Sequence, residues 1–121
     1  MWKNWKHEHQ EFKRVGQSTV VVGDKVLIVG GSFENGEKCS NLILLDPQKQ
    51  SFKIVKSHMN DENLCCEIQA SVCYWKDSKI VVFGGGDPEE NRFSSTVAII
   101  TLKDLDSDGI SPTYHLFFIN F

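Results

Sequence analysis

No apolar run in this 121-residue chain approaches the roughly 20 residues of a membrane-spanning helix; the longest are strand-sized. The N-terminal Met1-Trp2-Lys3-Asn4-Trp5-Lys6 carries charge with no apolar stretch behind it, so no signal peptide is expected. No Asn-x-Ser/Thr sequon occurs. Neither sign of charge dominates: 13 Lys and Arg stand against 16 Asp and Glu, a net charge of −3. That balance gives no general pull toward nucleic acid or an anionic membrane, and neither is expected as a partner. Cysteine is limited to Cys39, Cys65, Cys66 and Cys73, with no C-x-x-C spacing. An adjacent pair is a poor source of two zinc ligands, and the spacing fits no dense disulfide framework. Reduced thiols and a cytoplasmic location are the simpler expectation. Apolar periodicity of the helical kind is missing throughout.

What the chain does have is an internal repeat. Val26-Leu27-Ile28-Val29-Gly30-Gly31 recurs 54 residues later as Ile80-Val81-Val82-Phe83-Gly84-Gly85. Each copy follows a polar turn, Gly23-Asp24-Lys25 or Lys76-Asp77-Ser78-Lys79, and an earlier β-type run, Ser18–Val22 or Ser71–Trp75. Short strands repeating at a period near 50 point to propeller-type arrays. The first unit reads as four strands: Ser18 to Val22, Lys25 to Gly30, Leu42 to Leu45 and Phe52 to Val55. The second, after Lys25, and the third are continuously apolar, as in strands covered on both faces. Asp46-Pro47 ends the third, because proline lacks the donor a ladder needs. In the second unit, strands are expected over Gln69 to Trp75, Lys79 to Gly84 and Thr96 to Leu102. The aromatic stretch Tyr114 to Phe121 is a candidate fourth strand, too apolar to hang free.

These residues resemble the kelch repeat, a four-stranded blade whose second strand ends in Gly-Gly. Arg14-Val15-Gly16-Gln17-Ser18 is similar to the family's Arg-x-Gly-His-Ser lead, with glutamine in place of histidine. Asn41 and Asp46-Pro47 flank the third strand as in the family, and Phe52 stands where tryptophan is usual. The second copy departs further: Glu67-Ile68-Gln69-Ala70-Ser71 keeps only the serine of the lead. The resemblance spans roughly residues 14 to 102. It implies an all-β fold of two four-stranded antiparallel kelch-like blades, a partial β-propeller. Residues 17–56 form the first repeat, 57–67 a linker loop, 68–102 the second repeat and 103–121 a divergent tail. Residues 1–16 form an N-terminal segment in which Trp2 or Trp5 would be the last-strand aromatic of a preceding blade. Propellers close with about four to eight blades. Two blades therefore form an open array with apolar end faces and free edges, completed by further chain or by self-association.

Each chemical motif has a plainer explanation. Gly84-Gly85-Gly86 lacks the Lys-Ser/Thr of a phosphate loop and no helix follows it, so the glycines are turn residues. Asp104-Leu105-Asp106-Ser107-Asp108-Gly109 matches the first half of a calcium loop, but His115 stands where the bidentate glutamate belongs. His7-Glu8-His9 offers two imidazoles without a third ligand. Cys65-Cys66 lies between Glu62 and Glu67, which oppose a reactive thiolate. Lys3, Lys6, Lys13 and Arg14 read as a solvated basic end. No catalytic residue, metal ligand or cofactor is assigned.

The resemblance implies a non-catalytic module that binds a protein partner through loops on a rigid scaffold. The loops Ser32–Ser40, Lys56–Glu67 and Gly86–Ser94 should emerge at one end of the blades. They carry Glu34, Asn35, Glu37, Asp61, Glu62, Glu89, Glu90 and Arg92 as candidate contacts. Their acidic balance favours a basic partner surface. Two alternatives stand beside this one. The first is a fragment of a propeller enzyme of the oxidase or metal-dependent lyase class. The second is a truncated fragment without independent function, suggested by the loss of pattern after Leu102.

Overall fold

A computed structural model describes residues 9–57, 69–87, 92–93, 97–105 and 111–119. The regular structure of the described residues is almost wholly strand. A short 3-10 turn, Gln10–Phe12, precedes β1 (Arg14–Val15). The first unit contains β2 (Ser18–Val22), β3 (Lys25–Val29), β4 (Ser32–Phe33), β5 (Leu42–Asp46) and β6 (Ser51–Ser57). The second contains β7 (Ser71–Lys76), β8 (Lys79–Phe83), β9 (Gly86–Asp87), β10 (Arg92–Phe93), β11 (Val97–Lys103) and β12 (Thr113–Ile119). The long strands fall where the apolar runs predict them, and the aromatic tail supplies the fourth strand of the second unit.

Each unit is an antiparallel meander, β2-β3-β5-β6 and β7-β8-β11-β12. The two meanders face one another across a single core of Leu27, Val29, Leu42, Leu44 and Val55 from the first, with Ile80, Val82, Ile100, Leu102 and Tyr114 from the second. Fully burying one such aliphatic side chain is worth about 1.5–3 kcal/mol. At one seam β6 and β12 pair in parallel, Lys56 with Thr113 and Ser57 with Tyr114. At the other, the Gln69 N–H donates to the Gly16 carbonyl at 2.7 Å, and the Ser18 hydroxyl donates to the Ala70 carbonyl. The edges are thus less open than two separate blades would leave them, and the eight strands nearly close on themselves.

The ladders fix which residues are equivalent. In the first unit Leu27 pairs with Val20 and Leu44, and in the second Val81 pairs with Cys73 and Ile99. Leu27 is therefore the counterpart of Val81, and Val29 of Phe83. Yet Leu27 and Val29 point into the core, whereas Ile80 and Val82 do so in the second unit. Successive side chains on a strand alternate between faces. The same face of the repeat is turned inward in the first unit and outward in the second. The units are stacked head to tail, as blades of a partial β-propeller are.

The turns carry the positive-φ residues. The hairpin between β7 and β8 has φ of 51° at Asp77 and 60° at Ser78, the type I′ pattern that follows the twist of the strands. Just before it the register shifts between Tyr74 and Lys76, leaving Trp75 as an extra residue in the edge strand.

Arg14 departs from the sequence expectation. Grouped with the lysines it reads as a solvated cation, but it is only 7% exposed. Its Nε donates to the Glu11 carbonyl at 2.7 Å, and Nη1 donates to the Gly30 and Asn41 carbonyls at 3.1 and 3.2 Å. Nη2 meets the Glu11 carboxylate at 3.3 Å. The planar fork ties the start of the chain to both ends of the loop that follows the glycine pair. The Phe33 ring lies 5.8 Å from the guanidinium carbon.

Candidate partner-binding surface

Because neighbouring strands are antiparallel within each unit and β6 and β12 run parallel, the C-terminal ends of β3, β6 and β8 share one end of the molecule. The loops that leave β3 and β8 emerge there. In the first, β4 pairs with β1, Arg14 with Phe33 and Val15 with Ser32. The Phe33 N–H donates to the Glu37 carbonyl at 2.8 Å, and the Gly36 N–H donates to the Phe33 carbonyl at 2.9 Å. Asn35 is not a free contact group, since its Oδ1 accepts from the Glu37 N–H at 2.9 Å and holds the tip of the loop. Glu34 and Glu37 project into solvent on either side of it.

In the second unit the equivalent loop begins with β9, which pairs with β10 and sets Arg92 opposite Asp87. Asp61, Glu62, Glu89 and Glu90 lie outside the described residues, as do His7, Cys65, Cys66 and Asp106–Gly109. His9 has a structural part: its Nδ1 accepts from the Glu11 N–H at 3.2 Å, and its ring meets Phe52 edge-on at 5.3 Å. Among the described residues no group of three His, Cys, Asp or Glu side chains is gathered.

At the opposite end, a cavity of about 140 Å³ is lined by Lys25, Leu44, Asp46, Lys49, Ser51, Phe52, Lys53 and Leu105. The Lys53 ammonium donates to the Leu105 carbonyl at 3.3 Å, bridging the two units. The Asp46 carboxylate accepts from the Lys49 N–H at 3.1 Å and closes its own turn. Small ligand sites are typically about 300–1,000 Å³, so this space is undersized for an organic cofactor.

Sequence reasoning missed the outer face of the second unit. Phe83 and Phe117 are 51% and 64% exposed there, flanking half-buried Val81 and Ile99. On the adjoining edge strand the half-exposed Trp75 ring lies 4.9 Å from the Lys76 ammonium and 5.7 Å from that of Lys79. The consecutive apolar residues Ile80–Phe83 and Val97–Ile100 were the available signal, since over those stretches neither side of the strand is polar.

Two four-stranded units in register, a glycine pair ending the second strand of each and a buried lead arginine define a β-repeat protein of the propeller class. Residues 13–57, which span the first unit, match the family model described as the Kelch motif. The second unit, outside that match, has the same strand order and the same placement of its glycines. No curated protein matches the chain.

Proposed function

We propose that this chain is a non-catalytic, cytoplasmic kelch-type module that binds a protein partner through its inter-strand loops. Glu34, Glu37, Asp61, Glu62, Glu89, Glu90 and Arg92 make up the contact set, with Asn35 holding the tip of the first loop. The observation that carries this is the loop between β3 and β5, which displays two carboxylates from a tip fixed by Asn35 and by Arg14 below it. A rigid scaffold presenting charged side chains lowers the ordering cost of binding. The carboxylates favour a partner with a basic surface, and they act mainly on the rate of encounter and on specificity.

The test is a charge-reversed pair, Glu34→Lys with Glu37→Lys, at exposed positions where folding should be untouched. Cytosolic proteins crosslinked to the wild-type chain are identified, purified and titrated against both forms. Binding weakened by about tenfold or more, with a steeper salt dependence for the wild type, supports the loop surface. Equal affinity for both forms removes this loop from the interface.

A further inference from the structure

The stripe of the first unit that faces the second is apolar along most of its length, and the rule breaks at the end away from the glycine-pair loops. Along β3 that stripe reads Lys25, Leu27 and Val29, and along β6 it reads Ser51, Lys53 and Val55. Residues two apart on a strand share a face, so Lys25 and Lys53 stand in line with the buried Leu27, Val29 and Val55. The ladders bring the stripe together: Leu27 pairs with Leu44, Leu44 with Lys53 and Asp46 with Ser51. Leu105 of the second unit packs against the core and closes the space from the other side. Lys49 joins from the turn between β5 and β6.

The repeat itself does not call for a lysine at this place. By the registers the counterpart of Leu44 is Ile99, and that of Lys53 is Phe117. Three lysines nonetheless line one cavity of about 140 Å³ at the junction of the units. Its lining holds one carboxylate, Asp46, which already accepts the Lys49 backbone N–H at 3.1 Å. Asp24 meets the Lys25 ammonium at 3.3 Å from the rim, where its own side chain is 64% exposed. The lining therefore keeps a surplus of positive charge. Each ammonium has three N–H donors and no acceptor, and the Leu105 carbonyl takes one from Lys53 at 3.3 Å. Like charges gathered beside the apolar walls of Leu44, Phe52 and Leu105 repel one another, and an anion between them relieves that repulsion.

We infer that this cavity binds a phosphate group, either the free anion or the head of a small phosphomonoester whose remainder stays outside. A tetrahedral dianion fits a space too small for an organic cofactor and presents acceptor oxygens on every side. Lysine meets such a group as a compact point charge with charge-assisted hydrogen bonds. Because Lys25, Lys49 and Lys53 belong to the first unit and Leu105 to the second, the bound anion sits where the two units meet. The site lies at the opposite end from Glu34 and Glu37 and is independent of the loop reading.

The experiment is an amide NMR titration of the full chain with inorganic phosphate and, separately, with glycerol phosphate. Chloride is exchanged for phosphate so that ionic strength stays constant. Saturable shifts are expected at Lys25, across the Asp46–Lys53 turn and at Leu105. The double variant Lys49→Gln with Lys53→Met should bind about tenfold more weakly or worse, and its remaining amide signals report whether the fold is kept. If it is not kept, Lys49→Gln alone removes one ammonium from an exposed turn. Lys76→Gln with Lys79→Gln is the charge control. It removes two lysines from the same end of the molecule but outside the cavity, and should bind as the wild type does.

Tighter binding of glycerol phosphate than of inorganic phosphate identifies the head of a phosphomonoester as the ligand, and equal binding identifies the free anion; both support the site. Shifts that never saturate, or that spread over lysines all around the surface, mean an adventitious ion only and overturn the inference. An equal loss of binding in the Lys76 and Lys79 control overturns it too, because the attraction would then be the general charge of that end. Unchanged binding when Lys49 and Lys53 are both replaced has the same meaning.

Discussion

Two residues decide most of what the first repeat can tolerate, and both work through backbone carbonyls. Arg14 satisfies the Gly30 and Asn41 carbonyls and the Glu11 side chain from a nearly inaccessible position. Arg14→Ala leaves those acceptors unpaired and should cost about 3 kcal/mol in urea unfolding. Arg14→Lys keeps the charge, loses the fork and should fall between the two. Gly31 and Gly84, which hold different places in their pairs, have different surroundings. A Cβ on Gly31 would sit 2.7 Å from the Val15 carbonyl oxygen at a φ of +95°. At Gly84, with φ of +77°, it would meet nothing within 4 Å. Gly84→Ala should cost only the conformational penalty of about 1–2 kcal/mol. Gly31→Ala should cost clearly more, because backbone rather than a side chain must give way. Comparing the two unfolding midpoints checks the difference.

At the scale of elements, the strands were legible because apolar runs bounded by turn residues have few other uses. Gly23-Asp24 and Asp77-Ser78 marked the hairpins, and Asp46-Pro47 marked the end of β5. Facing was not legible. A one-residue shift moves every side chain of a strand to the other face, and strands such as Leu42–Leu45 are apolar on both. Nor did the sequence announce the two-residue pairings of β1 with β4 and β9 with β10, which depend on contacts between distant segments. Of the candidate contacts, the acidic loop was proposed from its position after the glycine pair. The holding role of Asn35 required the geometry. The hairpin gives a direct test: Ser78, with φ of 60°, carries a side chain where glycine is unstrained. Ser78→Gly should raise stability by about 0.5–1 kcal/mol after the entropy of the unfolded chain is counted. Tyr114 tests the seam. It is fully buried beside Ser57, and its hydroxyl donates to the Ser40 carbonyl at 2.8 Å. Tyr114→Phe should cost about 1 kcal/mol. Tyr114→Ala should cost about 3–5 kcal/mol and loosen β12 from the first unit.

For the whole molecule, the shared core and both seams bind the two units into one cooperative structure. Tryptophan fluorescence and far-ultraviolet circular dichroism should therefore report one coincident unfolding transition rather than two. The sequence repeat indicated two blades. It did not reveal that they meet through opposite faces, which rests on the alternation of Leu27 and Val29 against Ile80 and Val82. That head-to-tail stacking is the central claim, and one pair of substitutions tests it. Val29 and Phe83 each stand immediately before a glycine pair, yet they are 2% and 51% exposed. Urea unfolding of Val29→Asp and Phe83→Asp, at concentrations too low for association, should separate them. Val29→Asp buries an uncompensated carboxylate and should lose about 3 kcal/mol or more. Phe83→Asp should stay within about 1 kcal/mol of the wild type. Equal losses, or a larger loss at Phe83, would mean that the two units turn the same face inward and would contradict the stacking.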